Sequence, residues 1–213
     1  MIISFLNQKG GVGKTTLAVH TAAAFAMRGR KVLLIDADPQ HSALDWTAAR
    51  EESGLEPLFV TVGMPKPTIH KEVERLGEPY EVVVIDGPPR VTDLARSAIM
   101  ASDMVLVPVQ PSPYDVWACH EVVTLLKDAA IYKAALKYGF TINRKIVGTT
   151  LGRDVLGALA EYEGVPILPA SVSQRIEFAK SAAGGRIVME TEPGGQASRE
   201  IAELVDGIGE FAK

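Results

Sequence analysis

Cysteine, net positive charge and long apolar runs are scarce in this chain, and each shortage excludes a class of protein. Cys119 is the only cysteine among 213 residues, so neither an internal disulfide nor a cysteine-rich metal site can form within one chain. The formal net charge of −4 argues against a generally basic nucleic-acid binder, although a local basic patch stays open. No apolar stretch approaches the roughly 20 residues that span a bilayer.

The same shortages suggest where the protein works. A single cysteine is consistent with a reducing cytoplasm. The N-terminal residues lack the basic segment and long apolar stretch of a signal peptide, since Lys9 interrupts the first apolar run. We therefore expect a cytoplasmic protein. Its length and its 47% hydrophobic content suit one α/β domain over residues 1–213.

Apolar strand patterns alternate with helical patterns along the chain. This alternation predicts an α/β fold, with a mostly parallel twisted sheet flanked by helices on both faces. Residues 110–115 are rich in proline and are predicted to form a stiff loop before a long helix over residues 116–135. Within that helix we expect Cys119 to be a buried thiol and His120 a surface imidazole.

The N-terminal segment Lys9-Gly10-Gly11-Val12-Gly13-Lys14-Thr15-Thr16 lies between a predicted buried strand and a predicted helix. Glycines let a backbone turn sharply and direct its N–H groups towards an anion, and the dipole of the following helix adds a positive field. Lys14 is placed to reach the β- and γ-phosphates of a nucleotide, and the Thr15 hydroxyl to bind Mg²⁺. The alternative is an ordinary tight turn, but the flanking elements and both lysines favour phosphate binding.

Three acidic residues follow predicted buried strands, where open α/β sheets place their ligands. Asp36 and Asp38 stand in the segment Asp36-Ala37-Asp38-Pro39-Gln40, and Asp86 ends an aliphatic strand before Gly87-Pro88-Pro89. An Asp at the end of such a strand is typical of a Walker B site, which binds Mg²⁺ through water. For Asp36 and Asp38 a solvated turn with a helix cap is the alternative, because Asp-Pro commonly starts turns.

These segments together resemble the ParA/MinD family of ATPases. The strict phosphate-loop pattern, G-x-x-x-x-G-K-[ST], would need a glycine at Gln8. Lys9 instead precedes the glycine pair, as in the family's deviant Walker A motif, K-G-G-x-G-K-[ST]. Residues 36–40 and 86–89 are also similar to family segments, and residues 108–115 are most similar to those of small, ParF-like partition ATPases.

The resemblance implies a role for each matching residue. Lys9 would reach across a dimer to the partner's nucleotide, Asp38 would orient or activate the attacking water, and Asp36 would support the Mg²⁺ and its waters. Asn143 would hydrogen-bond the adenine, and a turn containing Pro169 would form part of the adenine pocket. The predicted catalytic residues are Lys9, Lys14 and Asp38. The predicted nucleotide-binding residues are 9–16, Asn143 and Pro169, and the predicted metal-binding residues are Thr15, Asp36 and Asp86.

The resemblance also implies a switch driven by ATP and Mg²⁺. We predict a weak ATPase that is a homodimer with ATP and a monomer with ADP. As in ParA partition ATPases, the dimer would bind DNA without sequence preference, associate with the nucleoid and respond to a small centromere-binding adaptor protein. Residues 127–186 hold nine cations and five anions, an excess of +4 that would suit DNA phosphates. Scattered solvated charge is the alternative.

Other classes remain as alternatives. A MinD-like cell-division ATPase would end in a basic amphipathic helix, and a small-molecule ATP-dependent ligase would need a substrate pocket that the sequence does not reveal. The C-terminal segment carries Glu200, Glu203, Asp206 and Glu210 against only Arg199 and Lys213. Anionic lipid would repel it, so we expect no membrane partner and expect its apolar stripe to pack in the core. An iron–sulfur reductase would need two cysteines per subunit.

Overall fold

A computed structural model describes residues 1–90, 92–148 and 151–213 and has a seven-stranded parallel sheet between two layers of helices. The predicted α/β class is confirmed. The strands are β1 (Ile2–Phe5), β2 (Val32–Asp36), β3 (Val60–Gly63), β4 (Val82–Asp86), β5 (Met104–Val109), β6 (Lys137–Lys145) and β7 (Ile167–Ser173). The helices are α1 (Lys14–Met27), α2 (Ser42–Glu52), α3 (Ile69–Gly77), α4 (Asp93–Ala101), α5 (Pro113–Tyr132), α6 (Leu151–Ala160), α7 (Ile176–Ala182), α8 (Val188–Thr191) and α9 (Gln196–Phe211).

The strand order, β3-β2-β4-β1-β5-β6-β7, decides where a ligand can bind. The chain winds outward in one direction from β1 to β3 and, after β4, in the other direction from β5 to β7. The carboxyl ends of β1, β4 and β5 therefore meet at a topological switch point, where open sheets leave a crevice. Every residue of β2, β4 and β5 is buried, as expected for strands covered on both faces.

The sheet has a separate apolar core on each face. On one face α1, α2, α8 and α9 pack over residues such as Ile3 and Leu34, and on the other α3 to α6 pack over residues such as Ile85 and Val107. The apolar stripe of α9 includes Ile201, which is fully buried in the first core, so the prediction that this stripe serves core packing is confirmed. Among the helices in the described ranges, none has both the length and the apolar character needed to cross a membrane.

Two element boundaries differ from the sequence prediction. Helix α5 begins at Pro113 rather than at residue 116, because proline has the preset φ of a first helical turn and needs no hydrogen bond there. Strand β7 continues to Ser173, so Pro169 lies within a strand, and the predicted turn at that residue is wrong. Because β7 is an edge strand, it tolerates a residue without an N–H group. The assignment of residues 1–213 to one domain stays a prediction.

Candidate nucleotide-binding site

The glycine segment forms the loop between β1 and α1, at the switch point of the sheet. Gly11 and Gly13 have φ values of +76° and +91°, a region that residues with a side chain rarely adopt. A Cβ atom on Gly13 would also lie 2.2 Å from the Asn143 amide nitrogen. That amide donates a 2.7 Å hydrogen bond to the Val12 carbonyl oxygen, so a residue near the end of β6 fixes the position of the loop.

Lys14 begins α1 and is only 6% exposed. Burial lowers the pKa of its ammonium, while the negative charges of Asp86 and Asp38 oppose that shift. Its one hydrogen bond to protein among the described residues is long, at 3.4 Å to the Lys9 carbonyl oxygen. A buried ammonium that is so weakly bonded is available to a strong anionic acceptor such as a phosphate.

Asp86 ends β4 beside Phe5 of β1 and is fully buried. Within the described residues, neither of its carboxylate oxygens has a hydrogen bond of ordinary geometry. Burial raises the pKa of Asp86 to about 7, and the charge of Asp36 adds to the rise, whereas the Thr15 hydroxyl and the Lys14 ammonium lower it. Because the nearby Thr15 hydroxyl makes no hydrogen bond of ordinary geometry, this buried carboxylate is poorly satisfied, and a hard cation such as Mg²⁺, or water bound to it, would satisfy it.

The protein offers few ligands for such a cation. Among the described residues no group of three or more His, Cys, Asp or Glu side chains is arranged to hold a metal. Mg²⁺ characteristically keeps several waters and binds through one or two protein groups plus substrate phosphates, so Thr15 and Asp86 fit this pattern. The predicted metal ligands thus remain predictions that the local chemistry favours.

Asp36 lies opposite Asp86 in the register of β2 and β4, but its oxygens are occupied. One accepts a 3.1 Å hydrogen bond from the Asp38 N–H, and the other accepts bonds of 3.0 Å from the N–H groups of Ala43 and Leu44. Burial raises its pKa, and these three donors oppose the rise. Asp36 therefore fixes the start of α2, as in the helix-cap alternative, and its support of Mg²⁺ stays a prediction.

Asp38 is placed on the loop that leaves β2, near the glycine loop. It is 9% exposed, and its carboxylate accepts a 2.9 Å hydrogen bond from the Gln40 N–H. Its negative charge acts on the Lys14 ammonium, which places both side chains at one site. The predicted role of Asp38 towards an attacking water is compatible with this position and stays a prediction.

The turn after β4 is tied to the strand and loop beside it. The Gly87 N–H donates a 3.1 Å hydrogen bond to the Phe5 carbonyl oxygen, and a Cβ atom on Gly87 would lie 2.1 Å from a Leu6 methyl carbon. Arg90, at φ +73°, donates its N–H to the Gln8 carbonyl oxygen at 3.0 Å. A change at the glycine loop would therefore reach the turn directly, as a phosphate-sensing segment requires.

Lys9 contacts the last residue of the segment 108–115, which resembles that of small partition ATPases but for which the sequence predicted no individual role. Its ammonium forms a 2.6 Å ion pair with the carboxylate of Asp115 in the first turn of α5. The Lys9 N–H also bonds the Asn7 side-chain oxygen at 2.9 Å, which fixes the backbone at this end of the loop. The predicted reach of Lys9 into a partner subunit stays a prediction, and in the single chain its partner is Asp115.

A cavity of about 480 Å³ adjoins the glycine loop, within the size range of small-ligand sites. It is lined by Thr16, Asn143, Arg144, Ser173, Gln174, Arg175, Ile176, Phe178, Ala179 and Ala182. Pro169 does not line it, because β7 extends past that residue before the chain turns. The loop from Ser173 to α7 takes the place of the predicted turn. If the predicted end of β7 had been placed four residues later, the sequence would have identified the loop that follows Ser173.

Two lining residues have their positions fixed by hydrogen bonds. Asn143 holds the Val12 carbonyl, so its predicted contact with adenine stays a prediction. Arg175 donates to the Glu200 carboxylate at 2.8 and 3.2 Å, and the same carboxylate accepts bonds from the N–H and the hydroxyl of Ser173. These bonds fasten the cavity wall to α9.

The described cations of residues 127–186 lie on both faces of the sheet. Lys127 lies on α5 and Lys180 on α7, and these two helices pack on opposite faces of the sheet. Lys133 donates to two backbone carbonyl oxygens, and Arg175 pairs with Glu200, an acid outside the counted region. The Arg153 side chain lies outside the described part of the chain. The excess of +4 is therefore not confined to one face of the sheet, and its suitability for DNA phosphates stays a prediction.

Comparisons with known proteins agree with this geometry. The family model for the CobQ/CobB/MinD/ParA nucleotide-binding domain matches residues 3–188. The chromosome-partitioning ATPase Soj of Thermus thermophilus is 30% identical over an alignment of 237 positions, which covers 95% of this chain and 94% of that protein. The maintenance of carboxysome distribution protein A of Halothiobacillus neapolitanus is 28% identical over 212 positions, which cover 97% of this chain and 95% of that protein.

A solved structure supports the fold independently. The septum site-determining protein MinD of Pyrococcus horikoshii, complexed with Mg-ADP, superposes with a TM-score of 0.74. The alignment covers 99% of this chain and 96% of that one, at 21% sequence identity. At this identity the likeness concerns the arrangement of strands and helices.

Proposed function

Since this chain belongs to the CobQ/CobB/MinD/ParA nucleotide-binding family, whose ParA/MinD members are ATPases, we propose that it is an ATP-driven partition ATPase. Two copies close around Mg²⁺-ATP, the dimer binds DNA, and slow hydrolysis stimulated by an adaptor protein separates them. One observation carries the proposal. The buried, unpartnered Asp86 lies beside the buried Lys14 at a glycine loop, which supplies opposite charges for a metal and a triphosphate.

The chain's own residues divide the work at this site. The backbone N–H groups of the glycine loop and the Lys14 ammonium hold the β- and γ-phosphates. Thr15 and, through water, Asp86 would hold Mg²⁺, which when bound neutralises charge on the phosphate oxygens. Asp38 accepts a hydrogen bond from the attacking water and orients it towards the phosphorus. Asp36 keeps the loop bearing Asp38 in place through α2.

The surface around Lys9 favours a second subunit. Next to the Lys9–Asp115 pair, Tyr114 and Trp117 are 72% and 67% exposed, and their rings meet edge to face at 5.3 Å. Exposed aromatic side chains beside a ligand site are typical of an interface, where tyrosine and tryptophan are enriched. A second copy packed here would cover them and would bring its Lys9 close to the first copy's nucleotide.

The names of two relatives support two candidate cargoes. Soj of Thermus thermophilus is a chromosome-partitioning ATPase, which favours DNA segregation and a centromere-binding adaptor for this chain. The carboxysome-distribution relative favours a second candidate, the positioning of another cargo by the same ATP cycle. A MinD-like membrane mechanism is less suitable, because α9 packs its apolar side into the core and uses Glu200 to hold Arg175.

A set of matched variants tests the proposal. Lys14→Ala should abolish ATP binding, measured by titration calorimetry, because it removes the buried cation at the phosphates. Lys9→Ala should still bind ADP as a monomer but lose ATP-dependent dimerisation in sedimentation velocity. Asp38→Ala should have the opposite effect on dimerisation, since it should stop hydrolysis and therefore accumulate the ATP dimer.

DNA binding is the second readout. A gel-shift assay on random duplex DNA with ATP, ADP or no nucleotide should show binding with ATP alone for the wild type and none for Lys9→Ala. Tight ATP binding by Lys14→Ala, or an ATP dimer of Lys9→Ala as stable as the wild type, would contradict the proposed site.

A further inference from the structure

The ion pair between Lys9 and Asp115 is not explained by the proposed function. If Lys9 acts on a partner's nucleotide, its ammonium must leave a carboxylate of its own chain that lies 2.6 Å away. The pair joins residues 106 positions apart and connects the glycine loop to the first turn of α5. A second bond does the same, since the Gln110 amide donates to the Gly11 carbonyl oxygen at 3.0 Å.

We propose that Asp115 is a positioning residue that holds Lys9 within its own subunit and thereby sets how readily the ATP dimer forms. The inference rests on the proposed function, because it assumes that Lys9 works across the dimer. Asp115 touches neither phosphate nor metal and acts only through Lys9. The lone subunit thus keeps its trans-acting lysine paired until a partner's nucleotide competes for it.

The burial of the two side chains supports this assignment. The Asp115 side chain is 2% exposed and the Lys9 side chain is 39% exposed, so the carboxylate is fixed and the lysine can swing outward. One Asp115 oxygen accepts the lysine, and the other is buried without a partner among the described residues. Lys9 is thus the one described cation that neutralises this buried charge.

The surroundings of Asp115 show that the carboxylate cannot follow Lys9. Its N–H bonds the Ser112 carbonyl oxygen at 3.0 Å, and its own carbonyl accepts a bond from the Cys119 thiol at 3.2 Å. These bonds anchor it in α5, whose positive N-terminal end favours a carboxylate there. When Lys9 leaves, the charge stays buried with only the helix dipole to stabilise it. Leaving the buried carboxylate without its cation is unfavourable, so the pair opposes dimerisation.

The first experiment examines the pair in the nucleotide-free subunit. Lysines are acetylated with a limiting amount of acetic anhydride, and the rate at Lys9 is measured by mass spectrometry relative to the exposed Lys71. Asp115→Asn should raise the relative rate at Lys9 several-fold, and Asp115→Glu, which keeps the charge, should restore slow labelling. Equal rates in wild type and Asp115→Asn would overturn the proposal. If Asp115→Asn fails to fold, Asp115→Ser removes the same carboxylate with a smaller side chain.

The second experiment examines dimerisation with ATP by sedimentation velocity. Asp115→Asn should lower the protein concentration of half-dimerisation about tenfold. This corresponds to about 1.4 kcal/mol, because the variant has no Lys9–Asp115 ion pair to break when the dimer forms. Asp128→Asn removes the same charge from the exposed side of the same helix and should leave the midpoint unchanged. The double variant Lys9→Ala/Asp115→Asn should stay monomeric, because it has no Lys9 to reach the partner's nucleotide.

The two readouts separate this inference from the proposed function. A faster Lys9 label in Asp115→Asn, together with a wild type that never dimerises with ATP, would support the pair and refute the proposed function. A higher or unchanged dimerisation midpoint in Asp115→Asn would refute the role of Asp115 while the dimer stands. Dimerisation of the double variant would show that the substitution acts without Lys9 and would also refute it.

Discussion

The ends of strands β2 and β4 carry the same residue in the same register, yet the two carboxylates have opposite surroundings. Asp36 and Asp86 are direct neighbours across the sheet and are both fully buried. Asp36 accepts three backbone hydrogen bonds, whereas Asp86 has none among the described residues. The chain after β2 folds back to cap its own carboxylate, and the Gly-Pro-Pro turn after β4 offers Asp86 no N–H group.

A buried carboxylate without donors costs free energy in the folded protein, and a satisfied one stabilises it. The hydrogen bonds of Asp36 therefore stabilise the fold, whereas we predict that Asp86 is satisfied only when a ligand binds. The same distinction applies to the two lysines of the glycine loop. Lys14 has only one long hydrogen bond among the described residues, which favours the predicted binding of an anion, whereas Lys9 is paired with Asp115.

The largest expected effect is on catalysis at Asp86. Asp86→Asn keeps the shape but removes the charge that would hold Mg²⁺, so the Mg²⁺-dependent ATPase rate should fall on the order of a hundredfold or more. Its folded state should be about as stable as the wild type, because the loss of a buried carboxylate without a hydrogen bond of ordinary geometry offsets the loss of its attraction for the Lys14 ammonium. ATPase assays and urea unfolding at pH 8 measure the two effects. A variant that hydrolyses ATP normally, or unfolds far more easily, would place Asp86 with Asp36 as a structural group.

The next effect concerns how the stability depends on pH through His20. Like Asp36, His20 is buried and has hydrogen-bond partners in the protein. Its Nδ1 bonds the Thr16 carbonyl oxygen at 2.8 Å, and its Nε2 accepts the Val188 N–H at 3.3 Å. Burial lowers the pKa of His20 to about 4, although the Thr16 carbonyl and the charge of Glu190 oppose this.

Because the folded state binds this proton less readily, the unfolded chain takes it up first as the pH falls below 6.5. The free energy of unfolding should therefore drop by about 3 kcal/mol between pH 6.5 and 4, and the contribution of His20 should be constant above pH 6.5. Urea titrations over this range should show a smaller slope in His20→Gln and an unchanged slope in His120→Gln, whose imidazole is exposed. Equal slopes in wild type and His20→Gln would contradict this account.

A slightly smaller effect on stability is expected when Asp36 is replaced by the neutral asparagine. Asp36→Asn keeps one acceptor but turns an NH₂ group towards the backbone donors of α2, so the free energy of unfolding should fall by about 2 kcal/mol. Mg²⁺-dependent turnover of the folded fraction should fall much less than in Asp86→Asn. Selective loss of metal dependence in Asp36→Asn, with stability unchanged, would instead support the predicted role of Asp36 in the Mg²⁺ network.

The positions of residues that lie within short motifs were predictable from the sequence. The glycine loop, Lys14 and the acidic strand ends lie within short segments whose spacing carries the chemistry, and the alternation of strands and helices predicted the sheet. The residue at which a strand ends was harder to predict, as β7 shows. The turn at Pro169 was misplaced because an edge strand accepts proline, so the pattern of β7 did not end there.

Contacts between distant segments could not be predicted. The Lys9–Asp115 pair and the hydrogen bond from Asn143 to Val12 join residues more than 100 positions apart. The resemblance over residues 108–115 includes Asp115, but no local pattern indicates that Asp115 pairs with Lys9. The boundary of α5 hid it further, since residues 113–115 were predicted to form a loop. Once Pro113 begins the helix, Asp115 faces the glycine loop at a fixed position.

The most direct test of the account mixes two variants that cannot dimerise alone. Lys9→Ala binds ATP but has no lysine to offer, and Lys14→Ala offers Lys9 but binds no ATP. If one subunit's Lys9 completes the other's site, an equimolar mixture with ATP and Mg²⁺ should show dimers in sedimentation velocity, while each variant alone stays monomeric. A mixture that remains monomeric, beside a wild type that dimerises under the same conditions, would contradict the claim that Lys9 acts across the dimer.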